Sequence, residues 1–218
     1  MGRLAGKVAV VSGADNSVGR AVIDLARAEG ATVVPLTAVA DENAIGAALS
    51  KAVSDHGRLD LVVNAARRCR RAPIATLSAE DFMATFDAIG ETAWLIQKHA
   101  ILAMRKTGGG VVINIVSVLA RVAASECAAV CAADRGVLMS TKSAALECAK
   151  AKDKIVVSAV MAGRIEGDAD HWPDGALLPH APPVTPHDVA EGVLFLATDG
   201  AAYMTGVELP VDGGFLAS

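Results

Sequence analysis

The sequence lacks several features, and each absence argues against a class of protein. Mostly apolar runs such as Val111–Val118 fall short of the ~20 residues that a membrane span needs, so no membrane role is expected. The first residues show no secretory signal pattern, which predicts a cytoplasmic protein. The four cysteines form no Cys-x-x-Cys pair, and no two of the five histidines stand four residues apart. Neither a disulfide framework nor a metal site is therefore expected.

Positive charge is also scarce. The chain has 20 Lys and Arg residues against 24 Asp and Glu residues, which gives a net charge of −4. A nucleic-acid partner is not expected, because such partners favour a basic face. One cluster departs from this balance and consists of Arg67, Arg68, Arg70 and Arg71. We interpret it as a solvated loop, with an anionic ligand or an acidic partner as the alternative.

The order of apolar segments predicts an α/β fold, a Rossmann-like doubly wound parallel sheet in one domain spanning residues 1–218. Six strands are predicted, at Lys7–Ser12, Ala31–Leu36, Leu59–Asn64, Gly110–Val116, Ile155–Val160 and Val207–Val211. Helices are predicted at about 17–29, 41–55, 79–106, 125–150 and 186–198, with N-caps at Ser78 and Thr185. The proline-rich stretch Gly163–Pro186 predicts a loop over the carboxyl edge of the sheet, where ligands bind in this architecture.

Four short motifs follow one another along the chain. They are Gly13-Ala14-Asp15-Asn16-Ser17-Val18-Gly19, Gly57-Arg58-Leu59-Asp60, Asn114-Ile115-Val116-Ser117 and Thr205-Gly206. The first lies between a predicted strand and a predicted helix, as a dinucleotide-binding turn does. In the order of these motifs the chain resembles the short-chain dehydrogenase/reductase family over its whole length. It is one βα unit shorter than usual members, because the strand ending near Leu36 leads almost directly into a helix near Asp41.

The resemblance implies a nicotinamide dinucleotide site, but the residues there differ from the family pattern. Members place three glycines around the pyrophosphate, whereas here Gly13 and Gly19 flank Ser17. The family's Asn-Asn-Ala-Gly turn reads Asn64-Ala65-Ala66-Arg67, which puts a long cation where the backbone meets the cofactor. The missing βα unit removes the wall that holds adenine. We therefore expect no cofactor, with weak NAD(P) binding left open, and a vestigial site at Gly13, Ser17, Gly19 and Asn64.

The resemblance also implies a catalytic serine, tyrosine, lysine and asparagine, of which only the serine is present. Ser117 matches the serine, Val130 stands thirteen residues later, and Asp134 stands four beyond that. Ile89 occupies the position of the asparagine. Hydride transfer to a carbonyl needs a proton donor whose pKa a nearby cation lowers, and neither valine nor aspartate supplies these groups. The single tyrosine, Tyr203, is interpreted as an interface or packing residue.

Three functions are compatible with these residues. The first is a pseudoenzyme that forms a homo-oligomer, or a hetero-oligomer with an active relative, through its long helices and C-terminal strand, and that could hold a small-molecule ligand. The second is a non-redox enzyme, such as a lyase, isomerase or dehydratase, in which Ser117 works with Asp134, Glu126, Glu91 or His171. The third is an atypical NAD(P)-dependent oxidoreductase. The standard oxidoreductase activity is predicted to be absent.

Overall fold

The computed structural model describes residues 1–37, 40–167 and 183–217. In these residues six parallel strands form one sheet in the order β2-β1-β3-β4-β5-β6. The strands are β1 Val8–Ser12, β2 Thr32–Leu36, β3 Leu61–Asn64, β4 Gly110–Ser117, β5 Ile155–Ala162 and β6 Glu208–Val211. The α-helices are α1 Ser17–Ala28, α2 Glu42–His56, α3 Ala79–Phe86, α4 Thr92–Thr107, α5 Ala128–Ala151 and α6 Pro186–Leu196.

Helices cover both faces of the sheet, which explains why the strands are apolar without alternation. Side chains such as Val11 and Val63 pack with α1 and α6 on one face. Their neighbours Val10 and Val62 pack with α2 and α4 on the other face. The predicted six-stranded, doubly wound parallel sheet is therefore confirmed. None of the helices in the described ranges is long and apolar enough to cross a membrane.

One predicted helix is divided in the structure. The segment predicted as a single helix over 79–106 contains a five-residue π-helical turn, Asp87–Glu91, between α3 and α4. The hydroxyl of Thr92 donates to the carbonyl oxygen of Asp87 at 3.0 Å and accepts the amide of Ala40 at 2.9 Å. The predicted N-caps are confirmed, because Ser78 accepts the amide of Asp81 and Thr185 forms a capping box with its own helix.

Strand β2 lies at the edge of the sheet because the chain has no further βα unit beyond it. The amide of Thr32 donates to the carbonyl oxygen of Lys7, so the backbone N–H and C=O groups of Thr32 face β1. Backbone groups of alternate residues face opposite sides, so those of Pro35, three residues later, face away from β1. Pro35 has no N–H group and cannot donate to an added strand. The outer edge of β2 therefore has one hydrogen-bond donor fewer with which to pair an added strand.

Candidate functional site

A small cavity lies where the carboxyl ends of β4 and β5 and the segment after β3 meet the N-terminus of α1. Its volume is about 100 Å³. The residues that matter for its chemistry are Ser17, Arg67, Cys69, Ser117 and Val130. Ligands bind at this edge in doubly wound sheets, so the cavity is the candidate functional site.

The glycine-rich turn is held by the protein itself. Gly13 has φ = 75°, and a Cβ atom there would overlap the carbonyl group of Ala65. A Cβ atom on Gly19 would overlap the carbonyl group of Gly13. Asn16 donates to the Ala65 carbonyl oxygen at 2.8 Å and accepts the Gly19 amide at 2.8 Å, which ties the turn to the end of β3. Both glycines are thus required by close packing, whether or not a cofactor binds.

Asn16 was not among the residues singled out from the sequence. An asparagine just before a segment of helical period is an N-cap signal, and this signal could have identified it. Its side chain caps α1 through the Gly19 amide and also reaches β3. Ser17, the next residue, begins α1 and lines the cavity.

Asn64 has a structural role below the cavity. Ser12 donates its hydroxyl to Asn64 Oδ1 at 2.9 Å and accepts the amides of Ala65 and Ala66 at 3.0 and 3.2 Å. Ser12 and Asn64 are both buried. Their hydrogen bonds join the carboxyl ends of β1 and β3, where the backbone turns away from the sheet.

Arg67 and Asp134 form a bidentate ion pair at the base of the site. The guanidinium donates to Asp134 Oδ1 at 3.1 Å and to Oδ2 at 3.0 Å, and the backbone amide of Ser117 donates to Oδ2 at 3.1 Å. The Asp134 side chain is 0% exposed and that of Arg67 is 22% exposed. The guanidinium therefore compensates a fully buried carboxylate that would be costly alone.

The arginine cluster around this pair is only in part a solvated loop. Arg68 and Arg70 are exposed, as predicted, and Arg70 lies 3.5 Å from Asp81. The prediction is wrong for Arg67, which reaches into the site. Arg71 donates at 3.1 Å to Glu126, which lies two residues before α5 begins. Three arginines of the cluster, Arg67, Arg70 and Arg71, thus lie beside three different carboxylates.

Two packed apolar side chains, Val130 and Ile89, stand where the sequence spacing predicts the tyrosine and the asparagine of the family. Val130 and Ile89 are each 2% exposed and belong to one cluster with Val118 and Leu119. Val130 also forms part of the cavity wall. Neither side chain can exchange a proton, so these two positions offer packing alone.

Ser117 ends β4, and its hydroxyl accepts the amide of Leu119 at 3.2 Å. It contacts Asp134 through its backbone amide. The other groups considered for acid–base chemistry are dispersed: Glu126 pairs with Arg71, Glu91 lies in the π-helical turn, and His171 falls outside the described residues. Of the candidate acid–base groups in the described residues, Asp134 contacts Ser117, and it does so through the backbone amide of the serine rather than its hydroxyl.

The cysteine at the cavity is a weak nucleophile. Burial raises the pKa of the Cys69 thiol to about 11, so the thiol stays protonated near neutral pH. Burial also raises the pKa of Cys127, the buried residue that immediately precedes α5. Within the described ranges, no group of three or more His, Cys, Asp and Glu side chains could hold a metal ion.

Comparison with known proteins identifies relatives over almost the whole chain. The family model described as enoyl-(acyl carrier protein) reductase matches residues 4–216. The D-threitol dehydrogenase of Mycolicibacterium smegmatis is 30% identical over 245 residues, covering 98% of this chain and 94% of the relative. The 3-oxoacyl-[acyl-carrier-protein] reductase FabG of Thermotoga maritima is 28% identical over 246 residues, covering 98% and 99%. An uncharacterized oxidoreductase of Escherichia coli, YohF, is 34% identical over 177 residues, covering 78% and 69%.

These matches correct one prediction. The expectation of no cofactor is wrong, because the family of the matched model and the oxidoreductases related to this chain normally bind NAD(P). Gly13, Gly19 and Asn16 hold the turn against the end of β3, although Ser17 stands where the family has its middle glycine.

The two ends of the site differ in how well they fit such a dinucleotide. The N-terminus of α1 opens on the cavity at Ser17 and Val18, where first-turn amides suit a pyrophosphate. At the other end, Arg67 is bonded to Asp134, the residue that the sequence spacing assigns to the family lysine that holds the nicotinamide ribose. The cavity of about 100 Å³ is also smaller than the roughly 300–1,000 Å³ of typical ligand pockets. The residues fit the pyrophosphate and do not fit the nicotinamide ribose.

Proposed function

The chain belongs to the short-chain dehydrogenase/reductase family, and we propose that it is a pseudoenzyme of that family, a subunit that keeps the fold and a ligand cleft without transferring hydride. One observation carries this proposal. At the position of the catalytic lysine stands Asp134, fully buried and held by Arg67.

The chemistry of the site supports the same conclusion. A carbonyl that receives hydride must also receive a proton, and the family supplies it from a phenol beside an ammonium group. Here Val130 has no ionisable group, and the charge at position 134 is negative. The Asp134 carboxylate accepts two hydrogen bonds from the guanidinium and one from the Ser117 amide. These three donors occupy its oxygens, so it is poorly placed to take a proton from a substrate. Ser117 uses its hydroxyl as an acceptor for a backbone amide.

The comparisons favour a second candidate, an atypical NAD(P)-dependent oxidoreductase. The D-threitol dehydrogenase and the 3-oxoacyl-[acyl-carrier-protein] reductase both extend along nearly the whole chain. In that case a group outside the family's serine, tyrosine and lysine would supply the proton. The two candidates make opposite predictions for turnover.

A turnover assay distinguishes them. The purified protein is incubated with NAD⁺, NADH, NADP⁺ or NADPH and a panel of polyols, hydroxy acids and 3-oxoacyl thioesters, and nicotinamide absorbance is followed. The D-threitol dehydrogenase relative serves as the positive control. We expect no turnover above the blank. Turnover in the usual enzyme range, about 1–10³ s⁻¹, would support the oxidoreductase and exclude the pseudoenzyme.

A pseudoenzyme of this family would act through its partners, and we extend the proposal to oligomerisation through α4 and α5. Both helices carry exposed apolar side chains, with Trp94 50% exposed and Leu146 72% exposed. Tyr203, near β6, is also fully exposed, so it does not pack within its own chain. Such side chains gain most by being covered by another subunit. The partner is a second copy or an active relative. A cytoplasmic location and the lack of a nucleic-acid partner remain predictions.

Replacing Leu146 with glutamate is expected to dissociate the oligomer, because the change places a charge on an apolar face that association would bury. The molar mass is measured by light scattering during gel filtration. Ile74→Glu is the matched control, since Ile74 is an exposed aliphatic residue on the loop before α3. Equal masses for Leu146→Glu and the unmodified protein would contradict an interface on α5. Mass spectrometry of the natively purified complex would identify a second dehydrogenase if one is present.

A further inference from the structure

Arg67 and Asp134 both change the charge at their positions relative to the family pattern. In the turn after β3 this chain has Arg67 where the family pattern has glycine, and on α5 it has Asp134 where the family pattern has lysine. The two positions are 67 residues apart in sequence, yet the side chains meet at 3.0 and 3.1 Å. The positive charge that the family lysine would carry on α5 is thus replaced by the guanidinium of Arg67, which comes from the turn after β3.

From this exchange we infer that Arg67 is a specificity-determining residue, which occupies the place of the nicotinamide ribose and discriminates against the nicotinamide half of a dinucleotide. The inference rests on the proposed function, because it concerns the same cleft. The family lysine holds the ribose by donating hydrogen bonds into the cleft. In this chain the guanidinium of Arg67 lies between Asp134 and the cavity, and it lines the cavity.

Electrostatics explain why the arginine would resist displacement. A ribose that entered at Asp134 would have to separate the guanidinium from a carboxylate that is 0% exposed. The Ser117 amide would still donate to that carboxylate, but the positive charge that balances it would be gone. A ligand without the nicotinamide half would leave the pair intact. The energetic penalty therefore falls on the nicotinamide half and spares the adenosine diphosphate half.

The test compares NAD⁺ with ADP, which lacks the nicotinamide half. Isothermal titration gives the Kd of each for the unmodified protein and for the double variant Arg67→Gly/Asp134→Asn. The variant removes the guanidinium and the buried charge together, and asparagine still accepts the Ser117 amide. We expect NAD⁺ to bind the variant at least tenfold more tightly, while the Kd of ADP changes less than threefold.

The matched control is Arg70→Gly/Asp81→Asn, which removes an exposed ion pair between the same loop and the first turn of α3. We expect it to change neither Kd by more than threefold. If the main variant fails to fold, as judged by circular dichroism, Arg67→Gly/Asp134→Lys, which restores both family residues, takes its place.

Two results would overturn the inference: an unchanged Kd for NAD⁺, and an equal gain for NAD⁺ and ADP. The second result would mean that the pair affects the whole cleft rather than its nicotinamide end. Failure of the proposed function would look different. It would appear as turnover by the unmodified protein, whereas the comparison of dissociation constants requires no turnover.

Discussion

Replacing Arg67 with alanine is expected to lower the free energy of unfolding by about 3–5 kcal/mol, the range typical when one partner of a buried ion pair is removed. The cause is Asp134, whose side chain is 0% exposed and would keep only the Ser117 amide of the three donors described above. Urea denaturation followed by circular dichroism measures the change, provided that the slope of the transition stays constant.

Two variants show whether the buried charge is responsible. Arg70→Ala removes an arginine from an exposed pair and is expected to change stability by less than about 1 kcal/mol. Adding Asp134→Asn to Arg67→Ala is expected to recover much of the lost stability, because no uncompensated charge then remains in the interior. Similar losses for Arg67→Ala and Arg70→Ala would show that the bidentate pair adds little to the stability of the fold.

The second large effect is expected at Gly19, where alanine should lower the free energy of unfolding by about 3 kcal/mol through overpacking. Its Cβ atom would overlap the carbonyl group of Gly13, and that turn cannot move freely because Asn16 ties it to Ala65. The loss is expected in the protein without any nucleotide, since packing alone causes it. Urea denaturation again provides the measurement.

Gly136→Ala is the matched control for this substitution. Gly136 lies on the exposed side of α5, and a Cβ atom there would meet nothing within 4 Å. Alanine favours the helix over glycine, so the control is expected to stabilise the protein by up to about 1 kcal/mol. A tolerated Gly19→Ala would mean that the turn can relax, and that its glycine is kept for ligand binding instead of packing.

The outcome for Gly19 bears on how glycine-rich turns are interpreted. Two of the three family glycines are present, and each is explained by a contact within the chain. Their presence by itself therefore says little about whether a cofactor binds. The expectation of no cofactor rested on Ser17 at the middle position, on Arg67 and on the missing βα unit, and differences at single positions likewise do not show that a cofactor is excluded.

Local sequence was sufficient to predict most of the fold, because strands and helices depend on apolar runs and capping residues that are neighbours in the chain. The caps at Ser78 and Thr185 and the shortened connection after Leu36 are of this kind. The π-helical turn before α4 was missed, since it depends on Thr92, whose hydroxyl bonds both its own helix and Ala40.

The candidate site was predicted residue by residue but not as an arrangement. Sequence spacing alone located Ser117, Val130 and Asp134, since the family places its residues at fixed intervals along β4 and α5. It could not show that Arg67 reaches Asp134, because a flexible side chain on a loop has many possible partners and only the packed fold selects one. The sequence thus determined which charges are present, and the tertiary structure decided that Arg67 neutralises Asp134, because burial makes an unpaired carboxylate too costly.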